Sequence, residues 1–178
     1  MIFKKLYKYT KESLGHGNVP LFFTSISYFL FGKLPKRNIE VNNKTMGAYK
    51  ARAFTTDFMY SFYAYEYKVK DAILAIVNDY DIYIDIGACI GDYSIWLAKK
   101  GLKVYAFEPV HENFNQLEYN VKLNGLNHKI DTVNKGLGNK KETLHFSVHP
   151  ENKGYSSRYL KTEKQGGYAS RREDKFCG

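Results

Sequence analysis

The eight residues Asp85-Ile86-Gly87-Ala88-Cys89-Ile90-Gly91-Asp92 constrain this chain more than any other stretch, because of what flanks them. Residues 80–84 (YDIYI) alternate and are rich in β-formers, which predicts a strand. Residues 92–100 (DYSIWLAKK) predict a helix, with Asp92 in its first turn, Lys99 and Lys100 in its last, and Gly101 to end it. Residues 103–107 (KVYAF) predict a second strand ending at Glu108-Pro109. Residues 111–124 predict a second helix with Phe114, Leu117 and Val121 on one face, and residues 129–133 a third short strand. Strand, helix, strand, helix, strand in this order gives a parallel sheet with right-handed crossovers. The expected class is α/β with a Rossmann-like sheet.

Ligands of open α/β sheets sit beyond the carboxyl ends of the strands. Here the first two strand ends carry Gly87 and Gly91, where missing Cβ atoms allow close approach, and Glu108, 21 residues after Gly87. An acid at that position can accept hydrogen bonds from both ribose hydroxyls of an adenosine ligand. A dinucleotide fingerprint, GxGxxG, fails twice, because Cys89 and Asp92 stand where its second and third glycines belong. Asp92 at a helix start would also repel a pyrophosphate by about 1 kcal/mol. The GxxxxGK[ST] phosphate loop is absent. S-adenosylmethionine has no phosphate and presents a sulfonium and an ammonium, for which Asp85 and Asp92 are favourable neighbours. The expected cofactor cradle is Asp85, Gly87, Ala88, Gly91, Asp92 and Glu108.

Residues 83–126 resemble the cofactor-binding core of the FkbM-type methyltransferase family. Its pattern of DxGANxGxxS, FEP and paired helical asparagines is matched by Asp85, Gly87, Ala88, Gly91, Ser94, Phe107, Glu108, Pro109, Asn120 and Asn124. The turn at residues 133–138 is also similar, with Gly136 where the family often has alanine, whereas Cys89 replaces the usual asparagine. The resemblance covers residues 60–158. It implies a class I methyltransferase sheet that uses S-adenosylmethionine to methylate a hydroxyl on a sugar, glycan or secondary metabolite. It further implies that Asp85 and the glycine turn hold the methionine part, that Glu108 holds the ribose, and that Asn134 lies near the adenine. The family pattern continues with a fourth, acidic-ended strand that residues up to 178 do not supply. We therefore expect a sheet truncated after its third core strand, an exposed edge on the strand at 80–84, and an incomplete acceptor site.

The formal charge of +9 is unevenly spread: residues 1–52 hold ten Lys or Arg against Glu12 and Glu40, a net +8. This divides the chain into a basic aromatic leader, 1–52, and an incomplete Rossmann-like S-adenosylmethionine-binding domain, 53–178. The nearly neutral second part argues against a nucleic-acid partner. In the leader, residues 19–32 (VPLFFTSISYFLFG) are apolar but shorter than the roughly 20 residues a spanning helix needs. They read as a buried helix or an interfacial segment, the latter giving peripheral membrane contact. Residues 60–78 predict one helix, residues 142–148 a strand, and residues from 150 onward no regular structure. Cys89 and Cys177 lack CxxC spacing, so neither a disulfide scaffold nor a metal site is expected, and the compartment reads as cytoplasmic. No catalytic base is singled out among His16, His111, His128, His145 and His149, or among Tyr60, Tyr63, Tyr65 and Tyr67 with Glu66. The competing readings are a non-catalytic S-adenosylmethionine-binding fragment and a membrane- or polyanion-binding module acting through the leader.

Overall fold

The computed structural model describes residues 2–139, 143–148, 156–157 and 170–177, the last three segments through their strand pairing alone. The chain forms two compact units, Met1–Tyr80 and Asp81–Gly178.

In the first unit, α1 (Ile2–Gly15) and α2 (Val19–Phe31) form a helical hairpin. The turn between them is set by Gly17, with φ +67°, and by Asn18, whose side chain accepts from the Leu21 N–H at 3.0 Å and so caps α2. Left-handed Gly32 ends α2 by donating to the Tyr28 carbonyl at 2.9 Å. Helix α1 is not among the elements expected from the sequence. Its Tyr9 and Ser13, four apart, are buried on one face.

An antiparallel hairpin follows, β1 (Ile39–Asn43) and β2 (Gly47–Ala51), tightened by Asn43, whose Oδ1 accepts from the N–H groups of Thr45 and Met46. The buried cluster of this unit joins Tyr9, Leu21, Ile39, Val41, Ala51, Phe58 and Phe62. Glu12 links its parts: Oε1 accepts from Asn43 Nδ2 at 2.8 Å and Tyr63 N at 2.7 Å, and Oε2 from Ala64 N at 2.9 Å.

Those two amide bonds explain why residues 60–78 are not the single helix that the sequence predicts. The Tyr63 and Ala64 N–H groups are held by a side chain from α1, and Glu66 takes a left-handed φ of 52°. The result is α3 (Asp57–Tyr60), α4 (Tyr67–Leu74) and a 3-10 turn at Val77–Asp79.

The second unit opens with β3 (Ile82–Ile86), then α5 (Asp92–Lys99), β4 (Lys103–Phe107), α6 (His111–Leu123) and β5 (Ile130–Val133). The three strands form a parallel sheet in the order β3-β4-β5, with Ile84 opposite Tyr105 and Tyr105 opposite Asp131. Helix α5 packs on all three strands and α6 on β5. Beneath them Val104, Ala106, Ile130, Trp96 and Leu117 are buried. This is a mixed α/β, Rossmann-like sheet.

Among the described residues β3 has a strand on one side only, the open edge expected from the sequence. Its alternate side chains Ile82, Ile84 and Ile86 are 55%, 55% and 67% exposed, so one face of this strand is open, whereas parallel sheets are ordinarily covered on both faces.

Strand β6 (Gly136–Leu137) and β7 (Thr143–Val148) belong to a second sheet with β8 (Ser156–Ser157) and β9 (Ser170–Cys177), in the order β6-β9-β7-β8. The strand expected at 142–148 is therefore β7. The expectation of no regular structure after residue 150 is corrected by β8 and β9. Pairing of β9 with β7, from Thr143 opposite Lys175 to Val148 opposite Ser170, overrides a charged sequence with little intrinsic strand preference.

Candidate functional site

The turn after β3 and the tip of β4 are bound together by a short set of hydrogen bonds. The Phe107 carbonyl, last in β4, accepts from Gly87 N at 2.8 Å and Ala88 N at 3.0 Å. Glu108 is buried, and its Oε2 accepts from Cys89 N at 2.8 Å while its Oε1 accepts from Val110 N at 2.9 Å. Gly91 N donates to Ala88 O at 2.7 Å and then opens α5. On the far side Asn120 of α6, fully buried, donates to Ile90 O at 3.0 Å, and Asn124 donates back to Asn120 O at 2.8 Å.

This pattern bears on which adenosine ligand the turn can hold. A phosphate cradle needs backbone N–H groups aimed outward at the ligand. Here the amides of Gly87, Ala88 and Cys89 are directed at the tip of β4 and at Glu108 instead. Those three amides are therefore spent within the protein, and the carboxylates of Asp85, Asp92 and Glu108 stand around the turn.

Each residue of the expected cradle has a definite place. Asp85, 8% exposed, sits near the end of β3 and accepts from Ser94 Oγ of α5 at 2.5 Å. Burial pushes its carboxyl above the ordinary carboxylate range, and the bonds from Ser94 oppose that rise. Gly87 has a φ of +83° and faces open space, so a Cβ there would meet nothing within 4 Å. Gly91 has a φ of +88°, and a Cβ would come within 2.5 Å of Leu117 Cδ1. Ala88 is buried between the two glycines, and Asp92 is buried in the first turn of α5, where a carboxylate suits the helix dipole.

Asn134 lies beside Glu108, but its amide is engaged in holding the main chain. Nδ2 donates to Glu108 O at 2.8 Å and to Pro109 O at 3.3 Å, which leaves Oδ1 toward His111 Nδ1 at 3.1 Å. Asn134 positions the Glu108 segment.

Sequence reading passed over Tyr83. Strand alternation places it on the same face as Asp85, and that period-two spacing was available as a signal. Burial, with the neighbouring charges of Asp85 and Asp92, pushes its hydroxyl far above the ordinary tyrosine value, so it remains a neutral donor. Cys89 carries a second unmarked feature, a left-handed φ of 50° in a non-glycine residue. Asparagine adopts that conformation more readily than cysteine. Cys89→Asn is expected to stabilise the second unit by about 0.5–1 kcal/mol, read as a raised midpoint in urea unfolding.

Of the possible bases, His111 stands at the strand tips, at the start of α6. His128 lies at the opposite end of the sheet, before β5, and is exposed. His16 and the tyrosine cluster belong to the first unit, where Tyr63 donates to Asp71 at 2.6 Å and Tyr60 packs edge-on to Tyr65. His145 is in β7 and His149 lies outside the described residues. Among the described residues no group of three His, Cys, Asp or Glu side chains gathers as a metal site.

No curated protein and no solved structure gives a significant match to the chain. A family model does match: that of the TRM5/TYW2 methyltransferase domain, over residues 47–146. The matched span holds the whole glycine turn, Glu108 and Asn134, and a domain of this kind uses S-adenosylmethionine. More than half of the sequence lies within that match, and the chain belongs to the TRM5/TYW2 methyltransferase domain family.

Proposed function

We propose that S-adenosylmethionine lies across the tips of β3 and β4, and that its methyl group passes to a hydroxyl oxygen on a sugar, glycan or secondary metabolite. The observation that carries the donor position is the Glu108 carboxylate, buried and locked against the glycine turn by the Cys89 and Val110 amides. Each carboxylate oxygen can accept more than one hydrogen bond, so this locked group can also receive the two ribose hydroxyls. Gly87 gives the donor its space, and Asp85 and Asp92 supply the negative charge that suits an ammonium and a sulfonium.

Bound there, S-adenosylmethionine supplies an electrophilic methyl group. The chain's part is alignment of acceptor, methyl and sulfur, together with removal of the acceptor proton. Asn134 turns its carbonyl to His111 Nδ1 at 3.1 Å, a contact that suits a ring with N–H at Nδ1.

Asp85 makes donor binding pH-dependent. Its ionised form attracts the cationic donor, so affinity should rise as pH rises through its elevated pKa. Stability without donor runs the other way. A carboxyl raised in the folded state contributes most while protonated, and that contribution is lost as pH climbs from the ordinary carboxylate value through the raised one. Asp85→Asn should flatten both profiles, as read by donor titration and by chemical unfolding across mildly acid to neutral pH.

The hydroxyl acceptor rests on the FkbM-type pattern in residues 83–126. A second reading, methylation of tRNA, is favoured by the TRM5/TYW2 match and by the +8 charge of residues 1–52. Radiolabelled donor offered separately with a glycan and sugar panel and with bulk tRNA distinguishes them. Label in the sugar fraction is the expected result, and label in tRNA alone replaces the first reading with the second. Donor binding with no label in either fraction supports a non-catalytic S-adenosylmethionine-binding chain.

A further inference from the structure

We propose that the α1–α2 hairpin docks this chain on an anionic phospholipid surface. Helix α2 has no charged residue, and one face of it packs inward through Leu21 and Ser25. The opposite face puts Val19, Phe23, Leu30 and Phe31 at 47–67% exposure. Single exposed apolar residues are ordinary, but a row of large ones along one helix marks an interaction surface.

Beside that row runs a groove of about 590 Å³, with Val19, Phe23 and Leu34 in its walls and Lys33, Lys36 and Arg37 at its border. No carboxylate lines it. Helix α1 repeats the theme, exposing Phe3, Tyr7 and Leu14 among Lys4, Lys8 and Lys11.

The occupant follows from this mixture. A phosphate backbone would satisfy the lysines and arginine but leave Val19, Leu30 and Leu14 in water. An anionic bilayer satisfies both, since lipid headgroups meet the basic residues and the acyl boundary receives the apolar row. No helix among the described residues is long and apolar enough to cross a membrane, so the hairpin lies on the surface.

Co-sedimentation of the full chain with phosphatidylcholine vesicles and with mixed phosphatidylcholine–phosphatidylserine vesicles tests this. Binding is expected to the mixed vesicles. Neutralising Lys33, Lys36 and Arg37 together to Gln should weaken it by about fivefold per residue. The pair Phe23→Ser and Phe31→Ser should weaken it by roughly tenfold or more per ring. All of these side chains are exposed or border the groove, so circular dichroism and S-adenosylmethionine affinity should not change in either variant. Equal partition into neutral and mixed vesicles, full binding by either variant, or retention by RNA without vesicle binding would each overturn the proposal.

Discussion

Replacing Gly91 by alanine is expected to abolish donor binding and to destabilise the second unit by roughly 3 kcal/mol. Two effects combine. Gly91 holds a φ of +88°, a conformation that costs about 1–2 kcal/mol for a residue with a Cβ. The new methyl would also stand 2.5 Å from Cδ1 of Leu117 in α6, and Leu117 is fully buried, so either that side chain changes rotamer inside a packed core or the turn moves. A shift of the turn would carry Asp92 and the start of α5 with it.

Gly87→Ala is the informative control. Its φ is equally left-handed, yet no atom lies within 4 Å of the new Cβ. The expected stability loss is therefore smaller, about 1–2 kcal/mol, while donor affinity should still fall because the methyl enters the space assigned to the donor. Urea unfolding and donor titration on the two variants separate packing from occupancy. Equal stability losses would contradict this account of Gly91.

Glu108→Ala should have the largest effect on the site itself. It removes the acceptor of two backbone N–H groups, those of Cys89 and Val110, at about 1–3 kcal/mol each when buried. It also removes the proposed partner of the ribose hydroxyls, worth on the order of 100-fold in donor affinity if two charge-assisted bonds are lost. Glu108→Gln separates the roles. The amide oxygen can still serve one N–H, so part of the stability returns. The neutral group accepts at fewer positions, and donor affinity should stay depressed by about tenfold or more.

Much of this site could be read from local sequence, because its signals lie within short segments. The strand expected at residues 80–84 and found two residues later at Ile82–Ile86, the turn with two glycines, and a helix opening at Asp92 sit next to one another, and the period of the apolar residues changes where β3 gives way to α5. Glu108 was legible by its spacing from Gly87. What could not be read depends on contacts between distant residues. Glu12 takes the amides of Tyr63 and Ala64, more than 50 residues away, and so breaks a stretch that is helical by pattern alone. Strand β9 owes its form to pairing with β7. The left-handed turn at Cys89 was likewise hidden, since the residue type that usually signals it is absent. Asn134 was expected near the adenine, and its amide holds the Glu108–Pro109 backbone, a contact between distant residues that no local pattern signals.

The central claim is that a buried carboxylate locked onto a glycine turn receives a cationic nucleoside and not a phosphate chain. Calorimetric titration of the full chain and of Glu108→Gln with S-adenosylmethionine and with NAD tests it most directly. The account predicts binding of S-adenosylmethionine alone, weakened by the substitution. Preferential binding of NAD, or S-adenosylmethionine affinity unchanged in Glu108→Gln, would contradict it.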